Sequence, residues 1–394
     1  MMGHYSPSLS LLCRKAVGCT VAFLFFIGCL ALSPKIVHGD AGDTTQFKGL
    51  WVVRHHLSSR ESIDTLVDFA TNHGFQQLLV QIRGRGYAYY RSEIVPRAPG
   101  IRERDWDPLQ YLLEQARTAD LEVHAWMNMY LVWSAPKRPE HATHILNSQP
   151  EWIDQDFAGE FSLKRYFNES TEYSSQFIFL APTHPEVNPY LAEVVREVAT
   201  NYDITGIHLD YIRSHNLTYG YNTRGRMLFQ EEYGIDPLEL TIAPDTVGQA
   251  KRVLWDSYRR QKVTDLVSRV KSACDSNGMQ LSAAVKPNPT DASQLYFQEW
   301  DHWVQTGLID FVVPMNYTRS NAEFLANLKR IDGSVSSDKV VVGIGAYKQS
   351  RFETAEKLIK IRHSDYRGYC LFSYESFLRN PEYIRVVDQF IRLD

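Results

Sequence analysis

The chain has 394 residues, more than an average domain needs and enough for a single domain with enlarged loops. Hydrophobic residues make up 44% and charged residues 22%, a balance that excludes global disorder and supplies a large core. The net charge of -4 excludes a general electrostatic pull toward nucleic acid or anionic membrane, so no nucleic-acid partner is expected.

In chain order, the first feature is an export signal over residues 1–39. Arg14 and Lys15 supply positive charge, Ala16 to Leu32 form an apolar run, and Val37-His38-Gly39 fits cleavage after Gly39. The run is slightly short for a membrane span of roughly 20 residues, and polar sequence follows it. Cys29 after Phe26-Ile27-Gly28 is a weak lipoprotein-type match, ranked below simple cleavage because Leu30-Ala31-Leu32 stays apolar. The expectation is a protein exported to the periplasm or beyond the cell, with any membrane attachment confined to a lipid anchor at its N-terminus. Cys13, Cys19 and Cys29 fall in this signal, while Cys274 and Cys370 read as separate buried thiols.

Residues 47–394 repeat apolar strand, polar loop and amphipathic helix. Strands are expected at Leu50–Val53, Leu78–Ile82, Leu121–Trp126, Gly206–Leu209, Leu281–Val285, Ile309–Val313, Val340–Gly345 and Gly368–Phe372. Helices are expected near Ser62–Asn72, Pro108–Ala119, Pro185–Asn201, Gly248–Ser276, Phe297–Thr306, Asn321–Ile331, Phe352–Ile361 and Glu382–Ile391. This alternation specifies an α/β fold, a single (β/α)8 TIM barrel. An open doubly wound sheet is disfavoured, because Arg83-Gly84-Arg85-Gly86 is not followed by GxGxxG spacing. Long insertions after strands three and four, Tyr130–Thr183 and Ser214–Val247, are expected to roof one face. Their aromatics, Trp133, Trp152, Phe157, Tyr166, Tyr219 and Tyr221, are candidate cleft walls or loop packing.

The carboxyl ends of barrel strands build active sites. Strand four ends in Asp210, followed by Tyr211 and Arg213. A carboxylate there suits a nucleophile or electrostatic stabiliser, against a plain salt bridge to Arg213. His208 shares its face one layer down and reads first as a core histidine supporting Asp210. Glycosidic cleavage usually needs two carboxyl groups, and Glu375 after strand eight is the best second one. Capping of the following turn is the competing role for Glu375, and Glu151, Asp154, Asp156 and Glu160 in the insertion are close rivals. Arg54, Arg83, Arg213, Lys286 and Lys348 ring the same rim, which suggests an ionised Asp210 and a substrate bearing carboxylates. Asn128, Asn316, Tyr317 and Tyr347 supply neutral hydrogen bonds, and Trp126 is either a stacking platform or barrel core.

No cofactor is expected, because P-loop, zinc and serine-elbow motifs are missing from the sequence. No metal is expected either. In a strand, His55 and His56 would point to opposite faces, and strands five and six end without histidine.

Gly49-Leu50-Trp51-Val52, Gln81-Ile82-Arg83, Val123-His124-Ala125-Trp126-Met127-Asn128, Pro185-Glu186-Val187, Gly206 through Arg213, Ser282-Ala283-Ala284-Val285, and Asp310 through Tyr317 stand in this order along the chain. Together they resemble the bacterial glycosyl hydrolase-like family 10, distinct from the family 10 xylanases. The resemblance implies a barrel hydrolase acting on glycans, its exported members linked to envelope polymers such as peptidoglycan, with the family's strand-four Asp falling on Asp210. Thr205 and Ser214-His215 depart from the family pattern, which bears on loop geometry more than on fold. The expected partner is a polysaccharide substrate. A non-catalytic glycan-binding barrel or an envelope scaffold is the alternative.

Overall fold

The computed structural model describes residues 46–157, 177–241 and 246–392. The export signal expected at 1–39, with Cys13, Cys19 and Cys29, lies outside the described residues, as do Glu160 and Tyr166. Eight parallel strands form the centre: β1 (Phe47–Val52), β2 (Gln77–Gly84), β3 (Glu122–Asn128), β4 (Gly206–Asp210), β5 (Gln280–Val285), β6 (Phe311–Pro314), β7 (Val341–Gly345) and β8 (Gly368–Phe372). Their order is β7-β8-β1-β2-β3-β4-β5-β6. Parallel bridges Val312–Val340 and Met315–Gly343 join β6 to β7 and close the ring. This is the expected (β/α)8 barrel.

The outer layer comprises α1 (Arg60–Asn72), α2 (Pro108–Thr118), α3 (Val187–Asn201), α4 (Thr246–Ser276), α5 (Trp300–Gln305), α6 (Asn321–Asp332), α7 (Arg351–Arg362) and α8 (Pro381–Ile391). Local chemistry sets their starts. Asp107 caps α2 ahead of Pro108, and Ser350 with Glu353 forms a capping box on α7. The single helix expected at Phe297–Thr306 is instead Pro289–Tyr296 followed by α5, because Phe297 adopts a left-handed φ of 55° and stops the first.

Strand alternation sorts the core into two layers. Leu50, Val52, Leu78, Val80, Ile207 and Leu209 face the helices. Phe47, Trp51, Leu79, Trp126, Phe311 and Val313 fill the barrel interior. Trp51 occupies the axis so closely that a Cβ on Gly343 would lie 3.0 Å from its ring and 2.6 Å from the Pro314 carbonyl oxygen. The Trp51 indole N–H donates to Nε2 of His208 at 3.2 Å, and Nδ1 of His208 pairs with the Ser282 hydroxyl at 2.9 Å. Cys274 and Cys370 are separate, buried and free.

The insertions after β3 and β4 do cover one end together. Leu131–Trp133 pairs antiparallel with Ile178–Phe179 within the first insertion. Asp156 bridges to Tyr219 in the second, and the Tyr221 amide donates to the Gln155 carbonyl at 3.0 Å.

Candidate active site

The site begins where β4 ends. Asp210 is the strand's last residue, and Tyr211 turns the chain with a left-handed φ of 51°. That conformation is uncommon for a residue with a side chain and concentrates at functional sites. It folds the Tyr211 amide back onto Oδ1 of Asp210 at 2.7 Å. On the neighbouring strand, Trp126 sits opposite His208 in register, and its indole N–H reaches up to Oδ2 of Asp210 at 3.1 Å. Asp210 is therefore only 8% exposed. Burial pushes its carboxyl up to about 6, against the opposing pull of the Tyr211 amide, Arg213, Trp126 and Lys286. The rim cations Arg213 and Lys286 pull the carboxyl down, as expected, but desolvation outweighs them and the net shift is upward.

Aromatic faces hold the cations around this carboxyl. The Arg213 guanidinium lies 5.1 Å from the Tyr211 ring and 5.0 Å from the Tyr296 ring, and donates to the Ser214 and His215 carbonyls. The Lys286 ammonium sits 4.5 Å from the same Tyr296 ring. Burial, then repulsion from Arg213, lowers the Lys286 ammonium to about 8. Lys348 adds to that repulsion and lies 5.5 Å from the Tyr347 ring. Tyr347 is 53% exposed, and it meets Tyr317 edge-on at 6.1 Å. Arg54 faces the charge neighbourhood of Tyr211 from the other side and hydrogen-bonds Gln81 at 2.8 Å. Asp210, Tyr211, Arg213, Lys286, Tyr317, Tyr347, Lys348 and Arg54 thus gather at one mouth.

Four expected substrate contacts lie too deep. Arg83 is fully buried and donates to the Asn128 and Met129 carbonyls. Asn128 accepts from the Gln81 amide at 3.0 Å, which extends a chain from Arg54 through Gln81 across three strand ends. His208 is enclosed between Trp51 and Ser282. Asn316 donates to the Phe324 carbonyl at 3.0 Å and accepts from Asn327 at 2.8 Å, which ties β6 to α6. Each supports the mouth from below. Trp126 is likewise barrel core, with only its N–H serving the site.

Glu375 is placed against the turn after β1. Glu375 opens the short helix Tyr374–Leu378. Its Oε2 lies 2.7 Å from Nε2 of His55, and Oε1 accepts from Arg379 at 2.6 Å. Burial raises its pKa, but His55 and Arg379 outweigh burial and leave it lowered. The charges acting on Asp210 are a different pair, Arg213 and Lys286. The opposite-face expectation for His55 and His56 is also corrected. They lie in a 3-10 turn over Arg54–Leu57, not in β1, and their rings stand 4.2 Å apart.

Among the described residues, the insertion acids take the following places. Asp154 is buried and accepts from the Gly220 amide at 3.1 Å, so it joins the two insertions, and burial pushes it up to about 7. Asp156 sits at the bridge to Tyr219, and the Glu151 side chain points out to solvent. Of the insertion aromatics, Trp133, Trp152 and Tyr221 are buried packing, Tyr219 is half-buried against His215, and Phe157 is exposed.

Sequence reasoning missed Tyr296 and Gln298. Buried Gln298 accepts from the Lys286 amide at 2.9 Å and donates to the Ile212 and Ala284 carbonyls at 3.3 Å, fixing the ends of β4 and β5. Tyr296 ends the helix and Gln298 follows its break at Phe297, which no local motif announces.

The chain is similar to known proteins in sequence and in fold. The chain is 22% identical to the glycosyl hydrolase YngK of Bacillus subtilis over 347 residues, covering 77% of this chain and 60% of YngK. It is 23% identical to the glycosyl hydrolase DigH of Escherichia coli K12, covering 75% of this chain and 67% of DigH. The chain therefore spans about three fifths of the Bacillus relative's length. In fold it is similar to the PgaB (BpsB) glycoside hydrolase domain from Bordetella bronchiseptica, with TM-score 0.63, 14% identity, and coverage of 89% of this chain and 99% of that one. It is also similar to the catalytic domain of beta-amylase from Paenibacillus polymyxa, with TM-score 0.56, 11% identity, and coverage of 87% and 97%. The model of the family described as glycosyl hydrolase-like 10 matches residues 44–361, and the chain belongs to that family.

Proposed function

We propose that the protein is an exported glycoside hydrolase that cuts an acidic or N-acetylated cell-envelope glycan, such as peptidoglycan strands. Membership of a glycosyl hydrolase-like family supports a glycan-acting hydrolase. The observation that carries the reading is Asp210: a carboxyl at the carboxyl end of β4, raised to about 6 and held by two N–H donors. A carboxyl of that acidity stays partly protonated near neutral pH, which suits a proton donor better than a permanent nucleophile.

Asp210 gives its proton to the glycosidic oxygen as the bond to the anomeric carbon breaks. Because Glu375 and Asp154 are engaged elsewhere, the proposed nucleophile is the substrate's own acetamido oxygen, the substrate-assisted route. Water then attacks the cyclic intermediate, and Asp210 takes the proton from that water. Lys286 and Lys348 favour a saccharide bearing carboxylates, and exposed Tyr347 offers a face for a pyranose ring. No helix among the described residues is long and apolar enough to cross a membrane, and export rests on the signal read in residues 1–39.

The test is incubation with peptide-free peptidoglycan strands and with other N-acetylated envelope polysaccharides, reading new reducing ends by mass spectrometry. Wild type should release fragments, Asp210→Asn should not, and a thiazoline analogue of the cyclic intermediate should inhibit. Binding without any release of reducing ends would replace this reading with a non-catalytic glycan-binding barrel. Turnover unchanged in Asp210→Asn would remove Asp210 from the chemistry.

A further inference from the structure

The turn after β1 and the short helix after β8 meet on the barrel rim, and they carry an arrangement that glycan cleavage does not use. One ring nitrogen of His55, one of His56 and a carboxylate oxygen of Glu375 lie within 4.8 Å of one another. Oε2 of Glu375 is 2.7 Å from His55 and 3.8 Å from His56. We propose that His55, His56 and Glu375 form a binding site for a divalent transition metal of the zinc type, with solvent completing its coordination.

Three observations support this. First, ligands at about 2.0–2.2 Å from a tetrahedral ion stand roughly 3.3–3.6 Å apart, a spacing bracketed by the two observed pairs, so side-chain shifts of about 1 Å complete the set. Second, His56 is buried, and its Nε2 has no hydrogen-bond partner among the described residues although it faces the carboxylate. An orphaned nitrogen of this kind asks for an explanation, and an ion supplies one. Third, the surroundings hold the ligands in place. Arg379 donates to the other carboxylate oxygen at 2.6 Å, which leaves Oε2 for the ion. The Tyr374 ring packs edge-on against His56 at 4.7 Å.

Two imidazoles and one carboxylate select zinc, cobalt or nickel over calcium or magnesium, which prefer all-oxygen sets. The ion would clamp the turn after β1 to the helix after β8, two segments whose strands already pair side by side. This site shares no ligand with the Asp210 cluster and does not depend on the hydrolase reading.

The experiment uses tag-free protein, dialysed against a chelator and titrated with ZnCl2 and CoCl2. One equivalent should bind at micromolar affinity, the melting temperature should rise with zinc, and the cobalt form should show visible bands of a four- or five-coordinate site. His55→Ala changes an exposed side chain and Glu375→Gln keeps the size and shape of a partly buried one, so both should fold. Each should weaken zinc binding at least tenfold and abolish the cobalt bands. Calcium should give no melting shift. Failure of wild type to bind one zinc, or wild-type affinity in either variant, overturns the proposal.

Discussion

Replacing Asp210 by Asn tests the site through stability as well as through turnover. Burial moves the carboxyl from 3.8 to about 6 in the folded chain, roughly two pKa units. At ~1.4 kcal/mol per unit, ionising it in place costs about 3 kcal/mol more than ionising it in the unfolded chain. The sign follows from the raised pKa: the favourable contribution is complete below pH 3.8 and is lost as pH rises through about 6. Asn carries no such cost. It keeps only one acceptor for the two donors, Trp126 and Tyr211, which offsets about 1–2 kcal/mol. The variant should therefore be more stable than wild type by about 1–2 kcal/mol at pH 8, and equal or less stable at pH 4. Denaturant unfolding at pH 4, 6 and 8 measures this, and the difference between the two proteins should swing by about 2–3 kcal/mol over that range. Turnover should fall by about 10²–10⁴ in the same variant, as loss of a general acid predicts. A stability difference that stays flat between pH 4 and 8 would refute the reasoning, because it would mean that Asp210 ionises as freely in the fold as in the open chain.

Trp126→Phe removes the indole donor that stabilises ionised Asp210. The alkaline limb of the pH–rate profile, expected near 6, should move up by about one unit. Lys286→Ala should raise KM for carboxylate-bearing glycans by about tenfold with little change for neutral ones. That penalty should shrink above pH 8, where the wild-type ammonium has itself lost its charge. Gly343→Ala should destabilise the protein by about 1–3 kcal/mol, seen as a lower melting temperature in calorimetry. The added Cβ would press on the Pro314 carbonyl and the Trp51 ring.

The barrel was legible because each strand is a short apolar run between turn residues, and periodicity survives in a single sequence. Asp210 was legible for a related reason: a carboxylate that ends such a run has a known place in a barrel. Depth was not legible. Arg83, Asn128 and Asn316 sit at or near strand ends, yet they turn to backbone carbonyls and amide side chains beneath the mouth. Their partners come from distant segments that no local pattern connects. The net upward shift of Asp210 is not legible for the same cause, since the cations are visible in sequence and the burial that outweighs them is not. His55 and His56 were placed on opposite faces because a strand was extrapolated one turn too far. Glu375 follows its strand by three residues, and the helical turn between them directs it toward β1.

Trp51, His208 and Ser282 stopper the barrel below Asp210. Such a vessel has no through-route. On the proposed hydrolase reading, products would leave through the opening by which substrate arrives, so the two would contend for the same doorway.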